Sequence, residues 1–303
     1  MRFERAAIVG VGLIGGSLAL AARAAGLIGE TIGVGRSEAN LAVARRRGLV
    51  DRTVRDPAEL GAVDLVVLAV PVRSTAAVAR ALLPRLAPGA VLTDVGSVKG
   101  EVVAAMEALL PAAAAFVGGH PIAGSERAGA EAARADLFQG ARCILTPTAR
   151  TERAALARIR ALWEGVGARV DEMDPAAHDR ALAWVSHLPH VVAYALVRGL
   201  QAADPGFAAL AAGSWRDASR VAASRAELWR DIFLANADAV LAATDAFAAE
   251  LERLRASVRA GDATALLRLL EAATAASDAQ RRLAGPSAPR HDGGGGDDDD
   301  GGA

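Results

Sequence analysis

Three glycines with the spacing G-x-G-x-x-G (Gly10, Gly12 and Gly15) lie between an apolar run at residues 6–9 and an alanine-rich run at residues 17–25. In a strand–turn–helix unit the first glycine allows the tight turn, the second lets a pyrophosphate approach the backbone, and the third lets the helix pack on the strand. The phosphates then lie at a helix N-terminus, which favours negative charge. The motif predicts dinucleotide binding; the alternative is a glycine-rich packing turn.

Short apolar runs alternate with alanine-rich segments throughout the first half of the chain. The predicted strands are residues 6–9, 31–34, 64–70, 90–94, 115–117, 141–145 and 169–172. The predicted helices between them are residues 17–25, 37–47, 74–83 and 151–165. Alternation of this kind with fully apolar strands is typical of a parallel sheet covered on both faces. We therefore predict an α/β, Rossmann-type, doubly wound sheet.

The pattern changes at Asp174, which with Pro175 forms a good helix start. Four long helices are predicted after it, at residues 176–200, 218–244, 246–260 and 263–283. A chain of 303 residues exceeds the usual size of one hydrophobic core. We predict a dinucleotide-binding domain at residues 1–172, an all-helical substrate and dimerisation domain at 173–284, and a disordered Gly/Asp-rich tail at 285–303.

Composition excludes some classes of protein. The 34 basic and 35 acidic residues nearly balance, so no nucleic-acid partner is expected. The single cysteine, Cys143, cannot form an intramolecular disulfide and fits a reducing compartment. The hydrophobic N-terminal stretch is interrupted by glycines and Arg23, so we interpret it as part of the glycine motif rather than a membrane segment. These observations predict a cytoplasmic protein with no membrane partner.

The end of the second predicted strand bears on the choice of cofactor. NAD enzymes usually place an acidic residue there to bind the ribose 2′-hydroxyl. This chain has Arg36 and Ser37 instead, which could accept a 2′-phosphate. We predict NADP, with NAD as the alternative if Arg36 is a solvated residue beside the adenine. The predicted cofactor-binding residues are Gly10, Gly12, Leu13, Ile14, Gly15, Arg36, Ser37, Val70, Pro71 and Ser97.

Polar motifs follow the later strands, where ligands of open α/β sheets bind. Residues 94–99 read DVGSVK and place Ser97 near the nicotinamide, while residues 118–126 read GGHPIAGSE and place His120 on a loop after a strand. A histidine in this position is expected to be catalytic rather than structural. The helical half adds two further clusters, at residues 178–190 and 220–236.

These motifs, in this order, resemble those of bacterial prephenate and arogenate dehydrogenases over residues 6–280. The His120 loop and the run Ser-His-Leu-Pro-His at residues 186–190 are the most specific. The resemblance implies a C-terminal domain like that of 6-phosphogluconate dehydrogenase and a homodimer formed through it. It also implies oxidative decarboxylation of prephenate to 4-hydroxyphenylpyruvate, for tyrosine synthesis, with hydride transfer to NAD(P)+.

By the same resemblance, His120 is the base that takes the 4-hydroxyl proton and Ser97 orients it or the hydroxyl. The substrate-binding residues implied are Arg220, His190, Glu126, Trp229 and Gly213. Arg220 would hold a carboxylate with its planar fork. His178 and His187 are nine residues apart, which on one helix puts them on opposite faces. We interpret both as structural and no metal site is predicted.

Two departures from the family pattern border the presumed substrate wall: Ser-Arg-Ala at residues 224–226 and Gly-Ser-Trp at residues 213–215. They leave prephenate and arogenate both open. A β-hydroxyacid dehydrogenase is a further alternative, but such enzymes generally use a lysine from the helical domain. The only lysine in this chain is Lys99, in the first half. A sensor without catalytic activity would have no use for both His120 and Arg220.

Overall fold

The computed structural model describes residues 2–124 and 127–284. Within these residues one sheet contains eight strands: β1 (Phe3–Val9), β2 (Ile28–Val34), β3 (Arg52–Val54), β4 (Val63–Leu68), β5 (Leu86–Asp94), β6 (Ala114–Ile122), β7 (Arg142–Thr146) and β8 (Arg169–Glu172). The strand order is β3-β2-β1-β4-β5-β6-β7-β8. Strands β1 to β6 are parallel in the order 3-2-1-4-5-6, which confirms the Rossmann-type prediction.

Eleven α-helices accompany the sheet in the described part of the chain. They are α1 (Leu13–Ala24), α2 (Glu38–Arg46), α3 (Thr75–Leu82), α4 (Gly100–Leu109), α5 (Arg153–Gly165), α6 (Pro175–Leu182), α7 (Leu188–Ala203), α8 (Gly213–Ser219), α9 (Ala226–Ala235), α10 (Ala237–Ala260) and α11 (Ala263–Ala284). The all-helical second half is therefore confirmed.

Two apolar cores lie on opposite faces of the sheet because strand side chains alternate between faces. In β1, Ile8 belongs to the core that also contains Trp163 of α5. The next residue, Val9, belongs to the core that also contains Met106 of α4. Burial on both faces explains why the strands read as continuous apolar runs.

Three details of the sheet differ from the sequence-based expectation. Strand β3 was not predicted, and β6 extends to Ile122, so His120 lies within a strand and not on a loop. Strand β7 is antiparallel to β6, with Ile144 opposite His120. An apolar strand buried on both faces has the same sequence pattern in either direction, so the pattern could not reveal this reversal.

The helical half is more broken than predicted. The expected helix at 176–200 is divided into α6 and α7 by a π-helical turn at Ala183–His187. Pro189 lies in the first turn of α7 and has no N–H for the preceding turn, which favours the break. The expected helix at 218–244 is divided at the 3₁₀ turn Arg220–Ala223 and again at Asn236.

By their contacts, the described residues form one unit that ends at Asp245 and a second that begins at Ala246. The boundary at residues 172 and 173 stays a prediction, and the tail predicted at 285–303 lies outside the described residues. No single described helix is long and apolar enough to cross a membrane. The pair Ala226–Ala235 and Ala237–Ala260 meets the length and composition only when combined across a 95° bend.

Candidate active site

The turn between β1 and α1 has the geometry of a dinucleotide cradle. Gly10 has φ +93°, and a Cβ there would lie 2.2 Å from the carbonyl oxygen of Ala69. A Cβ on Gly15 would lie 2.3 Å from the Gly10 carbonyl oxygen, whereas one on Gly12 would meet open space. Helix α1 begins with no side-chain cap and no acidic residue in its first turn. The N-terminal N–H groups that every helix leaves unpaired are thus open to a pyrophosphate, and the residues fit the cofactor.

The residues predicted to bind the rest of the cofactor lie along the same edge of the sheet. Arg36 and Ser37 follow β2 and are exposed. Ser37 accepts a hydrogen bond from the Asn40 N–H and so caps α2. Among the described residues, Arg36 makes no ion pair or hydrogen bond. Val70 and Pro71 follow β4, the strand next to β1 in the sheet.

A buried ion pair between Lys99 and Asp94 lies where β5 ends. Lys99 and Asp94 are essentially inaccessible to solvent, and the lysine ammonium contacts the aspartate carboxylate. Lys99 Nζ also donates to the Gly119 carbonyl oxygen at 2.8 Å, and the Gly119 N–H donates to Asp94 at 3.2 Å. Burial lowers the Lys99 pKa, and the Asp94 charge opposes that shift. The pair therefore fixes both polar groups of the residue that precedes His120.

His120 is partly exposed, near the end of β6. Its Nδ1 lies 2.9 Å from Nε2 of His178. Burial, with the nearby charge of Lys99 and the rings of His178 and His187, holds the His120 pKa well below its ordinary value of 6.5. The ring is therefore neutral near pH 7, which is the state a general base needs.

Asp179 connects the start of α4 with α6. Its carboxylate accepts the backbone N–H of Lys99 at 2.8 Å and that of Gly100 at 2.7 Å. The same carboxylate lies 2.8 Å from Nδ1 of His178, which is fully buried. Asp179, His178 and His120 therefore form a continuous hydrogen-bonded chain.

The third histidine, His187, is also fully buried. Asn236 Nδ2 lies 3.1 Å from its Nδ1 and donates to the Asp179 carbonyl oxygen at 2.9 Å. His178 and His187 are therefore on the same side, and the expectation of opposite faces is wrong. The π-helical turn between them has i→i+5 hydrogen bonds and rotates less per residue than an α-helix, so the half-turn offset of a regular helix does not apply.

A wall of aromatic rings lies beside this cluster. His190 stacks on Trp229, with ring centroids 3.4 Å apart and an angle of 21° between planes. Burial, reinforced by the charge of nearby Arg220, lowers the His190 pKa to about 4. Arg220 itself is exposed, on the 3₁₀ turn after α8. The structure thus groups three predicted substrate residues.

The remaining predicted residues are less closely tied to this group. Ser97 is partly buried, and its side chain makes no hydrogen bond within the described residues; His178, and not Ser97, contacts the His120 ring. Gly213 is exposed at the start of α8. Glu126 lies outside the described residues.

Sequence reasoning did not assign a role to Asp94, Lys99, Asp179 or Asn236. One signal was available, since His178 and Asp179 place an imidazole next to a carboxylate within the first turns of a helix. The partners of His178 and Asp179, which are His120 and Lys99, lie far away along the chain.

Comparison with known proteins decides the family. The model described as prephenate dehydrogenase, nucleotide-binding domain, matches residues 18–172. The model described as prephenate dehydrogenase, dimerization domain, matches residues 174–272. This chain belongs to the prephenate dehydrogenase family. Prephenate dehydrogenases are nicotinamide-dependent oxidoreductases, which agrees with the glycine cradle at the end of β1.

Relatives of this prephenate dehydrogenase family member span nearly its whole length. The cyclohexadienyl dehydrogenase of Zymomonas mobilis is 40% identical over 270 residues, covering 88% of this chain and 92% of the relative. The Bacillus subtilis prephenate dehydrogenase is 36% identical, covering 88% of this chain and 73% of the relative.

Solved structures of two family members have the same fold. The Aquifex aeolicus prephenate dehydrogenase in complex with hydroxyphenyl propionate and NAD+ superposes with TM-score 0.88 at 34% identity, covering 93% of this chain and 99% of that one. The Synechocystis arogenate dehydrogenase gives TM-score 0.79 at 33% identity, covering 91% and 100%.

Proposed function

We propose that this chain oxidatively decarboxylates prephenate to 4-hydroxyphenylpyruvate, with hydride transfer to NADP+ or NAD+, in the synthesis of tyrosine. The observation that carries the proposal is the position of His120 near the end of β6, at the carboxyl end of the same parallel strands as the glycine cradle that follows β1. Burial holds the His120 pKa well below 6.5, which suits a base near pH 7. A base near a nicotinamide is what removal of hydride from a carbinol carbon requires.

The proposed reaction needs the bound cofactor and a small number of side chains. A bound nicotinamide supplies the hydride acceptor. His120 takes the 4-hydroxyl proton as the carbinol carbon becomes a carbonyl, and Ser97 orients the hydroxyl. The electron demand of that carbonyl expels the ring carboxylate as CO2 and leaves a phenolate, which takes the proton back from His120. Aromatisation makes the step strongly downhill. The protein therefore needs mainly orientation and one base.

Arg220 is proposed to hold a substrate carboxylate beside the wall formed by His190 and Trp229. Replacing Arg220 with alanine should raise KM about 10- to 100-fold with a smaller change in kcat, because a charge-assisted hydrogen bond is worth about 1.5–3 kcal/mol. Steady-state kinetics check this result. Arg216→Ala, one turn earlier and also exposed, is the matched control and should leave KM unchanged. Equal effects in the two variants would contradict the assignment.

NADP is proposed as the preferred cofactor because Arg36 is exposed at the end of β2, with no described ion-pair partner. Replacing Arg36 with alanine should raise KM for NADP+ about tenfold and leave KM for NAD+ nearly unchanged, since only the former carries a 2′-phosphate. The control is Arg55→Ala, because Arg55 is also exposed and follows β3, the strand next to β2. A wild-type preference for NAD+ would refute the role given to Arg36.

Arogenate is the second candidate substrate, favoured by the 40% identity to a cyclohexadienyl dehydrogenase. Assays of the purified protein with prephenate and arogenate, each with NAD+ and NADP+, test the proposed function directly. Turnover of prephenate supports it, faster turnover of arogenate replaces it with the second candidate, and turnover of neither compound rejects both.

We also propose a homodimer that pairs through the helical half and resides in the cytoplasm. Apolar side chains exposed on α7, α9 and α10 support the pairing, including Leu196, Leu234 and Leu241. Light scattering at micromolar concentration tests it. Glu126 and Gly213 remain proposed substrate contacts.

A further inference from the structure

The chain Asp179–His178–His120 specifies where hydrogen atoms lie. A carboxylate that also receives two backbone N–H groups can only accept, so Nδ1 of His178 carries a hydrogen and donates it. Nε2 of His178 then has a free lone pair and accepts from Nδ1 of His120. His120 is thereby held with its hydrogen on Nδ1 and a lone pair on Nε2. In this orientation Nε2 of His120 is the basic nitrogen and can accept a proton from a molecule on the exposed side of the ring.

The charged groups beside the two histidine rings differ in sign. Lys99, whose ammonium is fully buried, faces His120 and disfavours a positive charge there. The Asp179 carboxylate contacts His178 at 2.8 Å and stabilises a positive charge on that ring. Opposite charges close together in a poorly solvated site interact more strongly than they do in water. Within the described residues, a proton on the His178 ring thus has a carboxylate partner at 2.8 Å, which the His120 ring lacks.

We propose that His178, paired with Asp179, holds the substrate proton while hydride is transferred, and that His120 passes that proton on and later returns it. This inference rests on the proposed function. The substrate O–H bond breaks as an Nε2–H bond forms on His120. The Nδ1–H bond of His120 breaks as an Nε2–H bond forms on His178. His120 is then neutral, and the charge resides on His178 beside the Asp179 carboxylate; the hydride leaves the substrate separately. After CO2 leaves, the same N–H and O–H bonds form and break in reverse, so the proton returns to the phenolate oxygen of the product.

His178→Gln separates orientation from proton transfer. The glutamine amide oxygen can accept from Nδ1 of His120 and keep its orientation, but an amide does not take up a proton near neutral pH. We expect kcat to fall about 10- to 100-fold, with KM for prephenate and NADP+ within twofold of wild type. Nitrogen-15 NMR of histidine-labelled protein should show the Nδ1–H form of His120 in both proteins. Equal kcat in the variant and wild type would overturn the relay.

A second variant tests the orienting part. His178→Phe fills the volume but offers no acceptor, so His120 should lose the Nδ1–H form and kcat should fall below that of His178→Gln. His187→Gln, a buried histidine outside the chain of three, is the matched control and should leave the Nδ1–H form of His120 intact. The Nε2–H form of His120 in wild type would overturn the inference.

One measurement needs no variant. Single-turnover rates in mixtures of H2O and D2O should depend on deuterium fraction with downward curvature, because two protons move in one step. A linear dependence would mean that one proton moves and would overturn the relay. If neither prephenate nor arogenate reacts but His120 shows the Nδ1–H form, the proposed function fails while the hydrogen-bonded chain is supported.

Discussion

Replacing His120 with asparagine will lower kcat about 10²- to 10⁴-fold and leave KM nearly unchanged, which is the usual contribution of a general base. The burial and the Lys99 charge that hold the His120 pKa low keep the ring neutral near pH 7, so the wild-type base is available at that pH. Asparagine keeps a polar amide near His178 but cannot take a proton from the substrate. Steady-state kinetics with prephenate measure both constants.

The same replacement at His291, which is outside the described residues and outside every motif that points to the site, is the chemical control. It should leave both constants unchanged. Full turnover by the His120 variant would mean that another group takes the hydroxyl proton. A rise in KM with kcat unchanged would instead make His120 a binding residue.

Replacing Asp94 with asparagine will destabilise the fold by about 3–5 kcal/mol, because Lys99 is left as a buried charge without its counter-ion. Chemical denaturation at pH 7 measures the free energy of unfolding. The folded-state pKa of Lys99 is already below the ordinary value, and the variant will lower it further. Its unfolded chain then binds more protons than the folded one, so the deficit should shrink as the pH rises toward 10.5.

Two further variants test whether the unpaired Lys99 charge causes the loss of stability in Asp94→Asn. Asp171→Asn removes one partner of an exposed ion pair with Arg142 and should cost less than about 1 kcal/mol. Adding Lys99→Met to Asp94→Asn removes the stranded charge and should restore much of the lost stability. A double variant as unstable as Asp94→Asn alone would show that the lost hydrogen bonds to Gly96 and Gly119 cause the effect.

Much of the fold could be predicted because its signals are local. The glycine spacing after β1, the apolar runs, and the Asp174–Pro175 helix start each depend on a few adjacent residues. The direction of β7 and the π-helical turn before α7 could not be predicted, because neither changes the order of apolar and polar residues. The length of β6 was missed for the same reason, and with it the placement of His120 in a strand.

In the site, too, local signals could be predicted from the sequence and long-range contacts could not. His120 and Arg220 could be proposed from the sequence because short motifs surround them. The contact between His120 and His178 joins residues 58 positions apart, and that between Lys99 and Asp179 joins residues 80 apart. Such contacts depend on how α4 and α6 meet, which periodicity does not encode. The assumption of a regular helix through residues 183–187 then placed His187 on the wrong face.

The two backbone hydrogen bonds from α4 to Asp179 restrict how this enzyme can open. Helix α6 is joined to the sheet half by these bonds, so it cannot swing away as a lid without breaking the hydrogen-bonded chain from Asp179 through His178 to His120. Residues 204–219 contain no buried position and make few such attachments. Entry of substrate and exit of product should therefore depend on that outer segment, which lies just before Arg220, while the chain of Asp179, His178 and His120 stays assembled through each catalytic cycle.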